Sequence, residues 1–261
     1  MKYTIPTIII LFLSSVYFSK SHAQFGSSFE LGAYAGPASI KTDYGERYHF
    51  EGYVGFSAGI VNYINFTDIS GYPRRHRFFN QHFRMKNELS FIYTTLEHTG
   101  KYVADDRTSE NAEKLRAMTG STLVVNLTTG FEFHLKDISD YESSYYQTGF
   151  NWSPYVGIGL GLSYYNPEME SSLGNWEEDR SILYGKWSKV GTVNMDPGTT
   201  FSTTFSTGTR FKVSEKSNIL LEANWRLFWS DWIDGLNARA VENKYNDWSF
   251  VVQVGYIFQL D

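Results

Sequence analysis

The chain has 261 residues, a length that fits one large domain or two small ones. Its net charge of -5 is the opposite of the basic excess that nucleic-acid binders carry, so no nucleic-acid partner is expected. The lack of cysteine excludes disulfides, thiolate catalysis and Cys-ligated metals. Aromatic residues make up 18% of the chain while hydrophobic residues make up only 42%, a balance that favours aromatic girdles around an alternating wall over a soluble core.

The N-terminus has the features of a secretory signal peptide. Lys2 supplies a positive charge, residues 5–18 form an apolar run, and Ser21-His22-Ala23 places small residues at the cleavage-determining positions. We predict a signal peptide over 1–23 and a mature domain over 24–261. A transmembrane anchor is the alternative, but the apolar run is shorter than the ~20 residues that span a bilayer.

The mature chain alternates apolar and polar residues in stretches that predict β-strands. In the closing stretch every second residue is apolar: Trp248, Phe250, Val252, Val254, Tyr256, Phe258 and Leu260. A period of two indicates a strand with one face against lipid and the other against a wetter interior. Eight such stretches are predicted, at 29–36, 53–66, 83–96, 122–135, 153–165, 201–213, 219–229 and 248–261.

These stretches predict an all-β fold, an eight-stranded antiparallel up-and-down transmembrane β-barrel with long extracellular loops. An even strand number places both termini at the periplasmic end. The longer connections are expected outside the cell, at 37–52, 97–121, 166–200 and 230–247. The others, 67–82, 136–152 and 214–218, are expected in the periplasm. One or two helical turns are predicted at 109–116 and a hairpin within 166–200. A ten-stranded barrel and a soluble lipocalin-like barrel are the alternatives.

Charged residues on the predicted inward faces indicate an ion-pair network in the lumen. Its members are Glu30, Arg84, Lys86, Glu88, Glu132, His134, Arg210, Lys212, Glu222 and Arg226. Eight strands leave an interior just wide enough for side chains, and buried charges require partners, so a plug is favoured over a selectivity filter or proton path. Because the first strand adds only Glu30 and the last adds no charge, the plug is expected on one wall.

No catalytic residue, metal site or cofactor is predicted. The alternative is an enzyme acting at the extracellular rim, where His98 could pair with Asp105, Asp106 or Asp231 as in omptin-like proteases. Lipid A deacylases place a His and a Ser close together on one strand, whereas His134 precedes Leu and Lys. Three acidic residues at 177–179 could attract Ca²⁺, but they lack EF-hand spacing.

Three segments resemble a family of flavobacterial outer-membrane barrels of unknown function and, more distantly, PorG-like proteins. They are Glu30-Leu-Gly-Ala-Tyr-Ala-Gly-Pro37, Lys41-Thr-Asp-Tyr-Gly-Glu-Arg47 and Arg84-x-Lys-x-Glu-Leu-Ser-Phe91. The resemblance implies a Bacteroidota outer membrane, contact with lipid and lipopolysaccharide, and protein partners in the periplasm or outer membrane beside the type IX secretion and gliding machinery. Asp261 departs from the terminal aromatic of proteobacterial barrels, so their assembly signal is not assumed.

The predicted function is that of a structural or interaction-type outer-membrane barrel with a lumen filled by side chains. The alternatives are an outer-membrane enzyme, either omptin-like or lipid A-modifying, and a narrow porin.

Overall fold

A computed structural model describes residues 27–44, 55–66, 74–143, 151–238 and 245–260. Eight antiparallel strands follow one another around a closed barrel, and the last pairs with the first. They are β1 (Ser27–Lys41), β2 (Gly55–Phe66), β3 (Phe83–Glu97), β4 (Met118–His134), β5 (Trp152–Ser171), β6 (Gly198–Ser214), β7 (Ser217–Phe228) and β8 (Trp248–Gln259). The eight-stranded prediction is confirmed and the ten-stranded alternative is wrong. The predicted signal peptide lies outside the described residues.

Side chains alternate between the two faces of the wall as the sequence period predicts. In β8, Val254 and Tyr256 on the outside are 57% and 53% exposed, whereas Gln253 and Ile257 on the inside are buried. A soluble lipocalin-like barrel would turn its apolar face inward around a ligand. The apolar exterior and polar lumen therefore make this chain a β-barrel of a Gram-negative outer membrane.

β5 is longer than its periodicity indicated. Residues 166–171, predicted as the start of a loop, continue the ladder with β4, where Leu123 pairs with Asn166 and Met118 with Ser171. Met169 is buried in this extension while Glu168 and Glu170 are exposed. Beyond the bilayer the outer face of a strand meets water, so its polar residues resemble those of a loop.

In the described parts of the connections there are three helices and a short 3-10 turn. They are α1 (Arg74–His82), α2 (Glu110–Ala117), α3 (Ile138–Ser143) and the turn at Arg180–Ile182. The helical prediction at 109–116 is confirmed by α2, whose N-cap Ser109 accepts a hydrogen bond from the Ala112 backbone N–H. The helices α1 and α3 were not predicted. No helix in the described ranges is long and apolar enough to cross a membrane.

The predicted hairpin within 166–200 is wrong. Residues 172–197 form turns and the 3-10 segment, and Val193 instead makes an isolated bridge to Leu236 in the loop between β7 and β8. Two loops therefore pair with each other across one end of the barrel. We call this the loop end and the opposite one, where β1 begins and β8 ends, the termini end.

Candidate functional site

At the termini end, Glu30 of β1 is the centre of a buried ion-pair cluster. Its carboxylate pairs with Arg84 of β3, and its other oxygen lies 2.6 Å from Arg210 Nη1 of β6. Asn65 Nδ2 donates to the same carboxylate at 3.1 Å. The Arg210 guanidinium also contacts Glu132 at 3.1 Å and stacks 4.0 Å from the centre of a tyrosine ring, so its charge is compensated on several sides.

One step toward the loop end, Lys86 and Glu222 form the second layer of charge. Lys86 Nζ lies 2.8 Å from both oxygens of Glu222. The same carboxylate accepts hydrogen bonds from Tyr155 Oη at 2.5 Å and Gln253 Nε2 at 2.8 Å. Lys86 also lies 3.3 Å from Glu88, which links this layer to the next. Donors from three other strands of the barrel, β3, β5 and β8, therefore satisfy the buried carboxylate of Glu222 on β7.

The third layer is built on Arg226 of β7. Its Nη2 lies 3.1 Å from Glu88, and its Nη1 donates to Thr128 Oγ1 at 2.7 Å and to Ser202 Oγ at 3.3 Å. A small cavity of about 20 Å³ adjoins Lys86 and Glu88. This volume holds a water molecule and no larger ligand.

Nine of the ten residues predicted from the inward faces are in these layers or bonded to them. Lys212 is the exception, because it lies at the termini end over the Tyr141 ring, 5.7 Å from its centre. The expectation of a plug confined to one wall is wrong, since the arginines of β3 and β6 both reach Glu30 of β1. The four carboxylates of the layers face four cations, so their formal charges balance.

The glycine ladder of β5 creates room for this network. A Cβ added at Gly157 would lie 2.4 Å from Ser206 Oγ, and one at Gly159 would lie 2.9 Å from Thr204 Oγ1. Both approaches are closer than real Cβ atoms make. Glycine on this inward face thus lets side chains of the neighbouring strands occupy the lumen, as the sequence predicted.

Between the charged layers and the loop end, a layer of apolar side chains closes the lumen. Its buried members come from the strands and from one loop: Ala38, Ile40, Ile92, Val124, Tyr165, Phe228, Ile233 and Val251. Ile233 belongs to the connection between β7 and β8 and is fully buried. A loop residue therefore completes the layer that lies over the charges.

Residues 230–238 enter the mouth and form a cap over the barrel, which we call the mouth cap. Its backbone is held by buried contacts, because Thr122 Oγ1 donates to the Ile233 carbonyl at 2.7 Å. Asn194 N–H donates to Gly235 at 2.8 Å from the long loop after β5. Leu236 packs with Trp187 and other apolar residues of the neighbouring loops. The mouth cap is thus part of a packed core outside the bilayer.

Four aspartates lie in or beside the mouth cap: Asp231 and Asp234 belong to it, and Asp43 and Asp247 lie next to it. Their carboxylates accept backbone hydrogen bonds, from Asp43 N–H to Asp234 at 3.0 Å and from Ile233 N–H to Asp247 at 2.9 Å. The pKa values of Asp234 and Asp247 are raised well above the usual value. Burial is the larger cause, and repulsion by the neighbouring aspartates adds to it. The same causes raise the pKa of Asp231 to about 7.

The cap aspartates do not form a metal site. Over the ranges that the structure describes, no group of three or more His, Asp or Glu side chains is arranged to hold a metal ion. Residues 230–247 are predicted from the sequence only as an extracellular connection, so the burial of Asp234 and Asp247 is not predicted. The available signal was the apolar group of Trp232, Ile233 and Leu236 around Asp234.

The rim residues of the enzyme alternative are not brought together. Asp105 and Asp106 are exposed, and His98 stacks on Tyr44 with ring centroids 4.8 Å apart. Among the residues that the structure describes, the Nε2 atom of His98 has no hydrogen-bond partner. Burial lowers the pKa of His98 to about 4, so the ring is neutral near pH 7.

A second histidine arrangement has the order of a catalytic triad. His134 Nδ1 lies 3.1 Å from Ser153 Oγ on the adjacent strand, and His134 Nε2 lies 3.4 Å from Glu132. All three side chains are buried, and the Glu132 carboxylate also binds Arg210. A nucleophile needs access to its substrate. The burial of Ser153 makes this chain of contacts part of the lumen packing.

No family model matches the sequence, and no similar sequence is found among curated proteins. Solved structures share the barrel architecture at low identity. Ail, the attachment invasion locus protein of Yersinia pestis, crystallised with the heparin analogue sucrose octasulfate, is 13% identical, with a TM-score of 0.40 over 90% of this chain and 97% of that one. Neisserial surface protein A is 13% identical, with a TM-score of 0.45 over 89% and 98%. The outer membrane enzyme PagL is 10% identical, with a TM-score of 0.31 over 88% and 98%.

Proposed function

We propose that this protein is a closed, non-conducting outer-membrane barrel that acts as a structural component and as a binding partner of other envelope proteins. The observation that supports the closed lumen is the succession of three charged layers, one apolar layer and the mouth cap. An ion entering from the loop end would have to displace Ile233 before it reached the first cation, Arg226. A narrow porin is disfavoured for that reason.

The loops offer the features of an interaction surface. Large apolar side chains exposed on the described loop residues include Tyr102, Leu173, Val190 and Tyr245, and Val190 is 91% exposed. These residues lie on connections at the loop end and not on the bilayer-facing wall, so lipid does not cover them. Exposed apolar groups on packed loops are typical of protein contact sites.

The partner is proposed from the sequence resemblance. Similarity of residues 30–37, 41–47 and 84–91 to PorG-like barrels of Bacteroidota favours a component of the type IX secretion and gliding machinery. Such a partner would contact the termini end, in the periplasm, while the loop end would remain available to surface components.

Planar bilayer recording tests the closed lumen. The purified protein is expected to show no single-channel steps, and the paired variant Ile233→Ala with Leu236→Ala is expected to show them, because it thins the apolar layer and the mouth cap together. Val190→Ala is the control, since that side chain lies outside the cap contacts. Steady conductance by the unchanged protein would exclude a closed barrel.

Affinity purification from native membranes tests the interaction role. A tag inserted in a described exposed loop turn, beside Gly191, leaves both termini free, and crosslinking before extraction preserves weak contacts. Recovery of a secretion or gliding component is the expected result. Recovery of no envelope protein after crosslinking would reject the interaction role, and recovery of other envelope proteins alone would reject the secretion partner.

A further inference from the structure

The outer wall carries a groove that the proposed function does not use. It extends over β3 to β6 and the end of β7 and has a volume of about 500 Å³. Its outward residues are Asn87, Leu127, Thr129, Leu160, Leu162, Phe201 and Trp229, and its base is the wall at the inward positions Thr128, Gly161 and Ser202. This volume is in the range of ligand pockets in general. None of the lining residues is charged, which limits the occupant to a neutral or apolar group.

The strand register explains why the wall is hollow at this level. One row of outward positions runs Asn87, Thr129, Leu160 and Thr203, and three of these four side chains are small or polar. The rows on either side are bulky: Leu89, Leu127, Leu162 and Phe201 toward the loop end, and Met85, Phe131, Ile158 and Phe205 toward the termini end. A row of short side chains between two rows of long ones leaves a depression.

The polar groups in and beside the groove are bonded to one another. Thr129 Oγ1 donates to Asn87 Oδ1 at 2.8 Å, and Trp229 Nε1 donates to Thr203 Oγ1 at 3.1 Å. The bilayer core supplies no water to satisfy such groups, so internal pairing is what permits them on this wall. With these donors used, the surface presented to the bilayer is mainly that of Leu160 and Phe201, each about 60% exposed.

We propose that this groove is a binding site for one acyl chain of lipopolysaccharide. The groove is continuous with the wall that contacts the bilayer, so hydrocarbon reaches it without leaving the membrane. Its upper rim is Trp229, which directly follows β7 at the loop end, and the longer loops assign that end to the outer leaflet. A tryptophan at that rim has the placement of an interfacial anchor. This inference does not depend on the proposed function.

The test fills the groove without changing the lumen. Thr129→Phe places a ring on the floor, Thr129→Val removes the hydroxyl but keeps the size, and Thr207→Phe makes the same addition at an exposed outward position of β6 outside the groove. Each protein is purified from native membranes in mild detergent after its folding is checked by heat-modifiable gel mobility. Bound lipid is then extracted and quantified by mass spectrometry per barrel.

The unchanged protein, Thr129→Val and Thr207→Phe are expected to retain lipopolysaccharide, and Thr129→Phe is expected to lose it by about tenfold or more. Equal retention by Thr129→Phe and Thr207→Phe would overturn the site. Retention of phospholipid in place of lipopolysaccharide would overturn the assignment to the outer leaflet. Elution of the unchanged protein as a dimer that Thr129→Phe dissociates would show that the groove receives a second copy instead.

Discussion

The lumen and the mouth cap both bury charged side chains, but they compensate them in opposite ways. In the lumen, four carboxylates are paired with four cations on facing strands. Around the cap, Asp234 and Asp247 rely on backbone N–H groups and lie near two further aspartates. Paired charges keep their ionisation when buried, whereas like charges in a shared site favour the protonated form. Ion pairs therefore hold the lumen together, whereas the aspartates of the cap make the cap respond to pH.

Removing one lumen cation is expected to have the largest effect. Arg210→Met removes one of the two guanidinium partners of Glu30 and the nearest cation of Glu132, and it is expected to lower the free energy of unfolding by about 3 to 5 kcal/mol. Urea unfolding in lipid vesicles measures the change. The control is Lys212→Met, since Lys212 is partly exposed at the termini end and lies outside the three layers. Equal losses for the two variants would mean that the ion pairs are not the source of stability.

Removing the apolar contact between the mouth cap and the lumen is expected to have the second-largest effect. Ile233→Ala creates a cavity where the mouth cap meets the lumen, which is expected to destabilise the cap by about 2 to 4 kcal/mol. Limited proteolysis of residues 230–238 measures local opening, and Val190→Ala, at a solvent-exposed loop position, is the control. Cleavage that is no faster in Ile233→Ala than in the control would show that the cap does not depend on this contact.

Raising the pH is expected to loosen the cap while leaving the lumen intact. The pKa values of Asp231, Asp234 and Asp247 are raised above their unfolded values, so the contribution of these three groups is fully present below about pH 4 and is lost as pH rises through the folded pKa, about 7 for Asp231. Proteolysis within 230–238 is expected to accelerate several-fold between about pH 5 and about pH 9. Asp234→Asn is expected to flatten this profile, and Asp105→Asn, at an exposed position, is expected to leave it unchanged. Identical profiles for both variants would contradict a cap controlled by its aspartates.

The difference between the two regions also decides what the sequence reveals. Lumen residues such as Lys86 and Glu222 occupy alternate positions of regular strands, and a period of two is enough to place them inside. Their partners across the barrel depend on strand register and tilt, so the pairing of Arg210 with Glu30 was not predicted. Asp234 lies in a segment without a period, and its burial depends on contacts with Thr122 and with the loop after β5. The composition of this segment alone therefore indicates a solvated loop.

The smallest effect is expected for a change in the neutral part of the lumen, which lies between the charged layers and the apolar layer. Ser163 Oγ donates to Asn126 Oδ1 at 2.7 Å and contacts Ser202 Oγ at 3.0 Å. Ser163→Ala removes one buried hydroxyl and is expected to lower the free energy of unfolding by about 1 kcal/mol, because a neutral hydrogen bond contributes about that amount. The control is Ser188→Ala on an exposed loop, with no resolvable change expected in the same urea measurement. A loss for Ser163→Ala as large as that for Arg210→Met would place the stability of the barrel in its neutral hydrogen bonds and reverse the comparison.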